Sequence, residues 1–192
     1  MDVSRIIPGP AQLKALSHPM RLRILGLLRL EGPATATGLA QRLQLNSGAT
    51  SYHLRQLERH GFVADDAELG DGRDRWWRAA HQSTRTQDPA TEEERDAQDA
   101  FWQAVAVVHT ETLQRAVEEH GRLPDEWQRA STLSDWGIRL TPRRARALLE
   151  ALDGLLGEID EDPEEEDGAE IYRVVLHAFP HPGAVVTDEE RE

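Results

Sequence analysis

The sequence predicts an α+β chain in three parts: an N-terminal helical domain closed by a β-hairpin, a long linking helix, and a small C-terminal β-α-β unit. Three patterns carry this reading. Residues 36–60 hold two short amphipathic helices with a very tight connection. Residues 62–80 hold two strand-like runs around Gly70, Asp71 and Gly72. Residues 92–119 keep a helical period between Thr91 and Gly121.

Residues 1–9 show no periodicity, contain Pro8 and Gly9, and read as an arm. Residues 10–16 read as a short helix with Leu13 and Leu16 inward. Ser17, His18 and Pro19 mark the next helix start, because proline's missing N–H costs nothing in a first turn. Residues 20–30 are apolar around much of the helix, with Leu22, Ile24, Leu25, Leu27, Leu28 and Leu30, so this helix is expected to be the rod of the first core. Gly32 and Pro33 end it, and Thr35 or Thr37 caps the helix 36–43.

Gln44 and Leu45 alone separate that helix from Asn46, a favoured N-cap whose side-chain oxygen accepts an orphan backbone N–H. Small Ala40 lets the two helices approach. In the second helix, 46–60, Thr50, Leu54 and Leu57 form one inward stripe, and Gly61 suits the left-handed position past its end. The outer face carries Ser47, Gly48, Ser51, Tyr52 and Arg55. It is slim near the N-terminus, rich in hydrogen-bonding groups and ends in a cation, as a helix in a DNA major groove requires. Alone, this could be an ordinary surface helix; the preceding helix makes the pair a helix-turn-helix.

After Gly61, residues 62–66 and 75–80 read as two strands, and 67–74 as their turn. The hairpin is the expected wing, with Arg73 and Arg75 at or beside its tip, either reaching DNA or solvating the loop. Trp76 and Trp77 are adjacent, so they face opposite sides of the strand, one toward the core.

The run Leu39-Ala40 through Leu54-Arg55-Gln56-Leu57, then Gly61-Phe62-Val63 and the wing 70–78, resembles the ArsR-type (arsenic-repressor-like) winged-helix regulators. The resemblance covers about residues 10–81. It implies a homodimeric bacterial transcription regulator, a repressor reading a palindromic operator in double-stranded DNA with helix 46–60 and wing 67–75. The family's metal-sensing branches use cysteines on the helix before the recognition helix, or acid–histidine clusters on the terminal helix. Here residues 37–44 have no thiol, and His109 and His120 stand eleven apart without an Asp-x-His pattern. A metal-sensing repressor is therefore the weaker alternative, and no metal site or cofactor is expected.

Residues 82–91 are polar, include Pro89 and set the expected boundary between domains 1–83 and 84–192. Thr91 with Glu94 forms an expected capping box, and Glu92–Glu94 suit the positive end of the helix dipole. Phe101, Val105 and Val108 lie on one stripe of this helix, the expected dimerisation seam. Residues 133–140 alternate with Trp136, Ile138 and Leu140 on one side, and residues 171–179 read as a second strand. Between them, a helix from Thr141 and Pro142 carries Leu148, Leu149, Leu152, Leu155 and Leu156. This order favours a parallel pair.

Composition narrows the function. The chain of 192 residues carries net charge −13, which looks wrong for a DNA binder. The charge is divided unequally. Residues 1–81 hold 11 Lys+Arg against 8 Asp+Glu, or +3; residues 82–192 hold 11 against 27, or −16. Seven of the eight residues 160–167 are acidic. The acidic half is expected to face away from DNA and to discourage nonspecific binding. With no cysteine, disulfides and thiol chemistry are excluded. No apolar run approaches the ~20 residues of a membrane helix, and no secretion signal is apparent, so a cytoplasmic location and no membrane partner are expected. No catalytic constellation is present, so an enzyme is not expected. A small-molecule effector in the C-terminal half stays open. So does a winged-helix module that binds protein without touching DNA, which the acidic total favours and the polar face 47–55 opposes.

Overall fold

Twelve elements lie among the described residues, and local signals start most of the helices. The computed structural model describes residues 4–69, 74–163 and 165–185. They run β1 (Arg5–Ile6), α1 (Pro10–Leu16), α2 (Pro19–Leu30), β2 (Ala34–Thr35), α3 (Ala36–Arg42), α4 (Ser47–Arg59), β3 (Val63–Asp65), β4 (Trp76–Ala79), β5 (Ser83–Thr84), α5 (Glu92–His120), α6 (Asp125–Ala130) and α7 (Pro142–Gly157). The His18 imidazole caps α2, accepting from the Met20 N–H at 3.1 Å, with Pro19 in the first turn. Thr35 caps α3 through the Gly38 N–H at 3.1 Å. Thr91 and Glu94 form the capping box of α5.

The chain divides into two compact units, with the change between Ser131 and Thr132. The polar stretch 82–91 is not where compactness ends, because α5 packs back onto α1 and α2. In the first unit, Leu16, Ile24, Leu25, Leu39, Leu54, Leu57 and Phe62 are fully buried. Trp77 joins this core, while Trp76 remains half-buried, so the adjacent tryptophans do face opposite sides. The sheet is three-stranded in the order β2-β4-β3, antiparallel throughout. Its third strand, β2, was not legible in the sequence. Two residues between Pro33 and a helix start carry no alternation; they pair because β4 passes beside them, with Thr35 opposite Trp76.

The arm is also tied down. Arg5 and Ile6 pair in parallel with Ser83 and Thr84. Arg29 reinforces this corner, donating to the His81 carbonyl at 2.8 Å and the Thr84 hydroxyl at 2.9 Å. Burial pulls the Arg29 pKa down to about 10, so it stays charged at neutral pH.

Two expectations need correction. The seam assigned to Phe101 and Val105 faces inward: Phe101 is only 8% exposed within its own unit, and Val105 packs against the same core. Val108 is half-buried. The wide apolar face of α5 therefore serves α1 and α2 first. The β-α-β unit also does not form. Its helix is present as α7, but residues 133–140 and 171–179 carry no strand. A lone parallel pair with one covering helix leaves two open edges and one bare face, which is marginal in water. Asp135 and Gly137 add poor strand propensity to the first segment. Leu148, Leu149, Leu155 and Leu156 of α7 are consequently exposed.

Candidate nucleic-acid interface

The site is built on α4. Asn46 Oδ1 accepts the Ala49 N–H at 2.8 Å, and Thr50, Leu54 and Leu57 anchor the inward face at zero exposure. The turn before it is unusually tight. Gln44 adopts φ +54, a left-handed conformation costly for a side-chain-bearing residue, and the Leu45 N–H closes onto the Ala40 carbonyl at 2.8 Å. At the other end, the Phe62 N–H reaches the Leu57 carbonyl and the Gly61 N–H the Glu58 carbonyl, both at 2.9 Å, with Gly61 at φ +76. This is a Schellman stop, and only glycine takes that conformation without strain.

With both ends set, Ser47, Gly48, Tyr52 and Arg55 are exposed and Ser51 is half-buried, all on the face turned from the core. Tyr52 is 55% exposed. A methyl group on Gly48 would come within 3.3 Å of Asn46 Oδ1, so the small residue protects the cap as well as keeping the leading end slim. Arg55 Nε donates to the Ser51 carbonyl at 3.1 Å, which lays its side chain along the helix.

A cleft of about 390 Å³ runs between α4, the start of α3 and the hairpin. Ser47, Ser51 and Arg55 line one wall, Thr35 and Thr37 another, and Asp74, Arg75 and Trp77 the third. Three of the candidate recognition residues thus share one concave surface with the wing base. Arg73 lies outside the described residues.

Arg75 is placed differently from the expectation. Its Nη2 donates to Glu58 at 2.5 Å, its Nε donates to Asp65 at 3.0 Å, and its guanidinium lies 4.0 Å over the Trp77 ring. Desolvation is the largest single effect and lowers its pKa, but hydrogen bonds and charge from Glu58 and Asp65 together outweigh it and hold the pKa above the ordinary arginine range. Arg75 therefore braces helix α4 against both strands of the wing, and phosphate must compete with two acids for it. Arg75→Gln should lower the wing's protection in amide hydrogen exchange at Val63–Asp65 while α2 stays protected. Unchanged exchange in that strand would show that the brace contributes nothing to wing order.

A second group of residues was missed by sequence reasoning. His18, the N-cap of α2, and His53 of α4 lie with ring centroids 4.7 Å apart, with Tyr52 edge-on to His53 at 5.5 Å. No local period signals this, since the partners come from different helices. Among the described residues, no group of three or more His, Asp or Glu is placed to hold a metal ion. Nor is any described helix long and apolar enough to cross a membrane.

Comparison with known proteins agrees with this geometry. The family model described as "Helix-turn-helix domain" matches residues 16–65. That span contains α2, α3 and α4. No curated protein sequence matches the chain. Among solved structures, reduced HlyU from Vibrio cholerae is 26% identical, with 46% of this chain and 79% of that one covered and a TM-score of 0.32. A double mutant of ZitR from Lactococcus lactis, in apo form, is 20% identical over 72% of this chain and 80% of that one, TM-score 0.32. The adhesin competence repressor AdcR from Streptococcus pyogenes is 16% identical over 72% and 78%, TM-score 0.33. Scores this low make these partial likenesses, without weight for function. The fold and the matched residues define a helix-turn-helix domain with a wing.

Proposed function

We propose that this chain is a sequence-specific DNA-binding transcription regulator, a homodimeric repressor of the ArsR type. The observation that carries it is the exposed polar face of α4. Ser47, Ser51 and Arg55 share a cleft with the wing base, and no apolar side chain of the helix intrudes. Exposed hydroxyls and a guanidinium on a slim helix suit base edges in a major groove. Residues 1–81, which include this face, have a formal charge of +3, so its affinity rests more on specific contacts than on phosphate attraction.

Dimerisation belongs to a different stripe of α5 from the one the sequence indicated. Trp102 is 55% exposed, and Leu113 and Val117 are each 48% exposed. They recur at helical spacing, so two copies of α5 can bury them together. The protein acts by binding rather than catalysis and works in the cytoplasm, with any small-molecule effector taken by the C-terminal half.

The test is a gel-shift titration of the full chain with the DNA upstream of its own gene. Specific binding that weakens moderately between 50 and 200 mM salt is expected. Equal, weak binding to that fragment and to an unrelated duplex would refute sequence-specific recognition. Sedimentation gives the second reading: a dimer at micromolar concentration is expected, and a monomer would refute the dimer.

A further inference from the structure

We propose that His18, Arg21, Tyr52 and His53 form a second DNA contact, a site for one backbone phosphate at the edge of the α4 recognition face. The proposal rests on the DNA-binding reading and extends it to residues of α2. Two helices converge here. The imidazoles of His18 and His53 pack against each other with their planes tilted by 53°, Tyr52 stands edge-on to His53, and Arg21 lies in the first turn of α2.

Three observations mark the cluster as an anion site. The first is its charge. The groups that act electrostatically on these side chains are one another, with no carboxylate among them. Several charged residues on the neighbouring elements are engaged elsewhere. Lys14 of α1 pairs with Glu93, Arg23 of α2 with Glu111, Arg42 of α3 with Glu31, and Glu58 and Asp65 with Arg75.

The second is unmet hydrogen bonding. Of the three arginines of α2, Arg23 meets Glu111, and Arg29 meets His81 and Thr84. Arg21 Nε and His53 Nδ1 are instead buried with no hydrogen-bond partner among the described residues. The third is orientation. His18 Nδ1 accepts the Met20 N–H, so the neutral ring carries its proton on Nε2, which is left as a donor. Tyr52 is exposed on the same outer face as Ser51 and Arg55. A phosphate of a duplex seated on that face comes within reach of three donors: Arg21, His18 Nε2–H and the Tyr52 hydroxyl.

The arrangement predicts linkage between DNA binding and protons. In the free protein, burial first, then His18 and Arg21, push the His53 pKa below its ordinary value. A phosphate beside it adds the missing opposite charge and raises that pKa in the complex. His18 would lose its cap on protonation, whereas His53 Nδ1 has no hydrogen bond to lose, so His53 takes up the proton. Affinity should then rise as pH falls through the raised value, and level off below the free-protein value. One proton corresponds to a gain of up to about tenfold per pH unit.

The experiment is fluorescence anisotropy of the full chain with a labelled 30-base-pair duplex of mixed sequence, over pH 5.5–8 and 50–200 mM salt. Wild type should bind more tightly at low pH. His53→Gln should flatten that dependence, and Arg21→Gln should reduce the slope of log affinity against log salt by about 0.9, the value of one phosphate contact. Circular dichroism melts establish that each variant folds. For one that does not, Tyr52→Phe stands in, removing only an exposed hydroxyl, with an expected ~2–10-fold loss. A wild-type pH dependence in His53→Gln, a wild-type salt slope in Arg21→Gln, or unchanged affinity in Tyr52→Phe overturns the site. If Arg55→Ala still weakens binding in that case, the DNA-binding reading survives and only this site falls. Wild type with no salt-dependent binding overturns both.

Discussion

Phe62→Ala should destabilise the N-terminal unit by about 3–5 kcal/mol, the range for emptying a buried aromatic site. Phe62 has no exposure and is the largest fully buried side chain among the described residues. It also stands at a junction. Its N–H ends α4 through the Leu57 carbonyl, and its carbonyl accepts the Ala80 N–H at 3.0 Å from the far end of the hairpin. The backbone bonds persist in an alanine variant, so the loss measures packing and the cavity. Urea denaturation followed by tryptophan fluorescence is the measurement, since Trp77 lies in the same core. A loss under about 1 kcal/mol would mean that neighbouring side chains collapse into the site and that the junction is not tightly packed.

Arg55→Ala should weaken operator binding by about 1–3 kcal/mol, roughly 5–150-fold, without a matching loss of stability. Arg55 is exposed, lines the cleft with Ser47 and Ser51, and has its Nε on the Ser51 carbonyl of its own helix. Removing it deletes no core contact. Two outcomes separate its roles. Equal losses on operator and unrelated duplex, with a shallower salt slope, identify a phosphate contact. A loss confined to the operator identifies a base contact. Unchanged affinity at fixed salt would remove Arg55 from the interface, and with it the assignment of this face of α4.

The recognition helix was legible because its determinants are near neighbours. Asn46 caps a residue three positions on, Gly61 ends the same helix, and Thr50, Leu54 and Leu57 repeat at helical spacing. The same holds for Thr35, His18 and the Thr91–Glu94 box. Periodicity also indicated that α5 has a wide apolar face, but not which part is already covered. Phe101 and Trp102 are adjacent and both aromatic; α1 and α2 bury one and leave the other out. The alternation of residues 133–140 and 171–179 shows what a strand there would bury, yet a strand also needs a partner for its backbone, and alternation carries no information on that.

By itself, the sequence determined the order of the N-terminal helices, the hairpin, the linking helix and the outward face of α4, because caps, turns and helical periods act over three or four residues. Tertiary structure decided where Arg75 and Arg29 are spent. Arg75 reaches Glu58 across 17 positions, and Arg29 reaches the His81 carbonyl across 52. His18 meets His53 only because α2 packs on α4. A guanidinium's role is set by the acceptor within about 3 Å of it. Which acceptor that is follows from how the helices cross, and no local spacing records it.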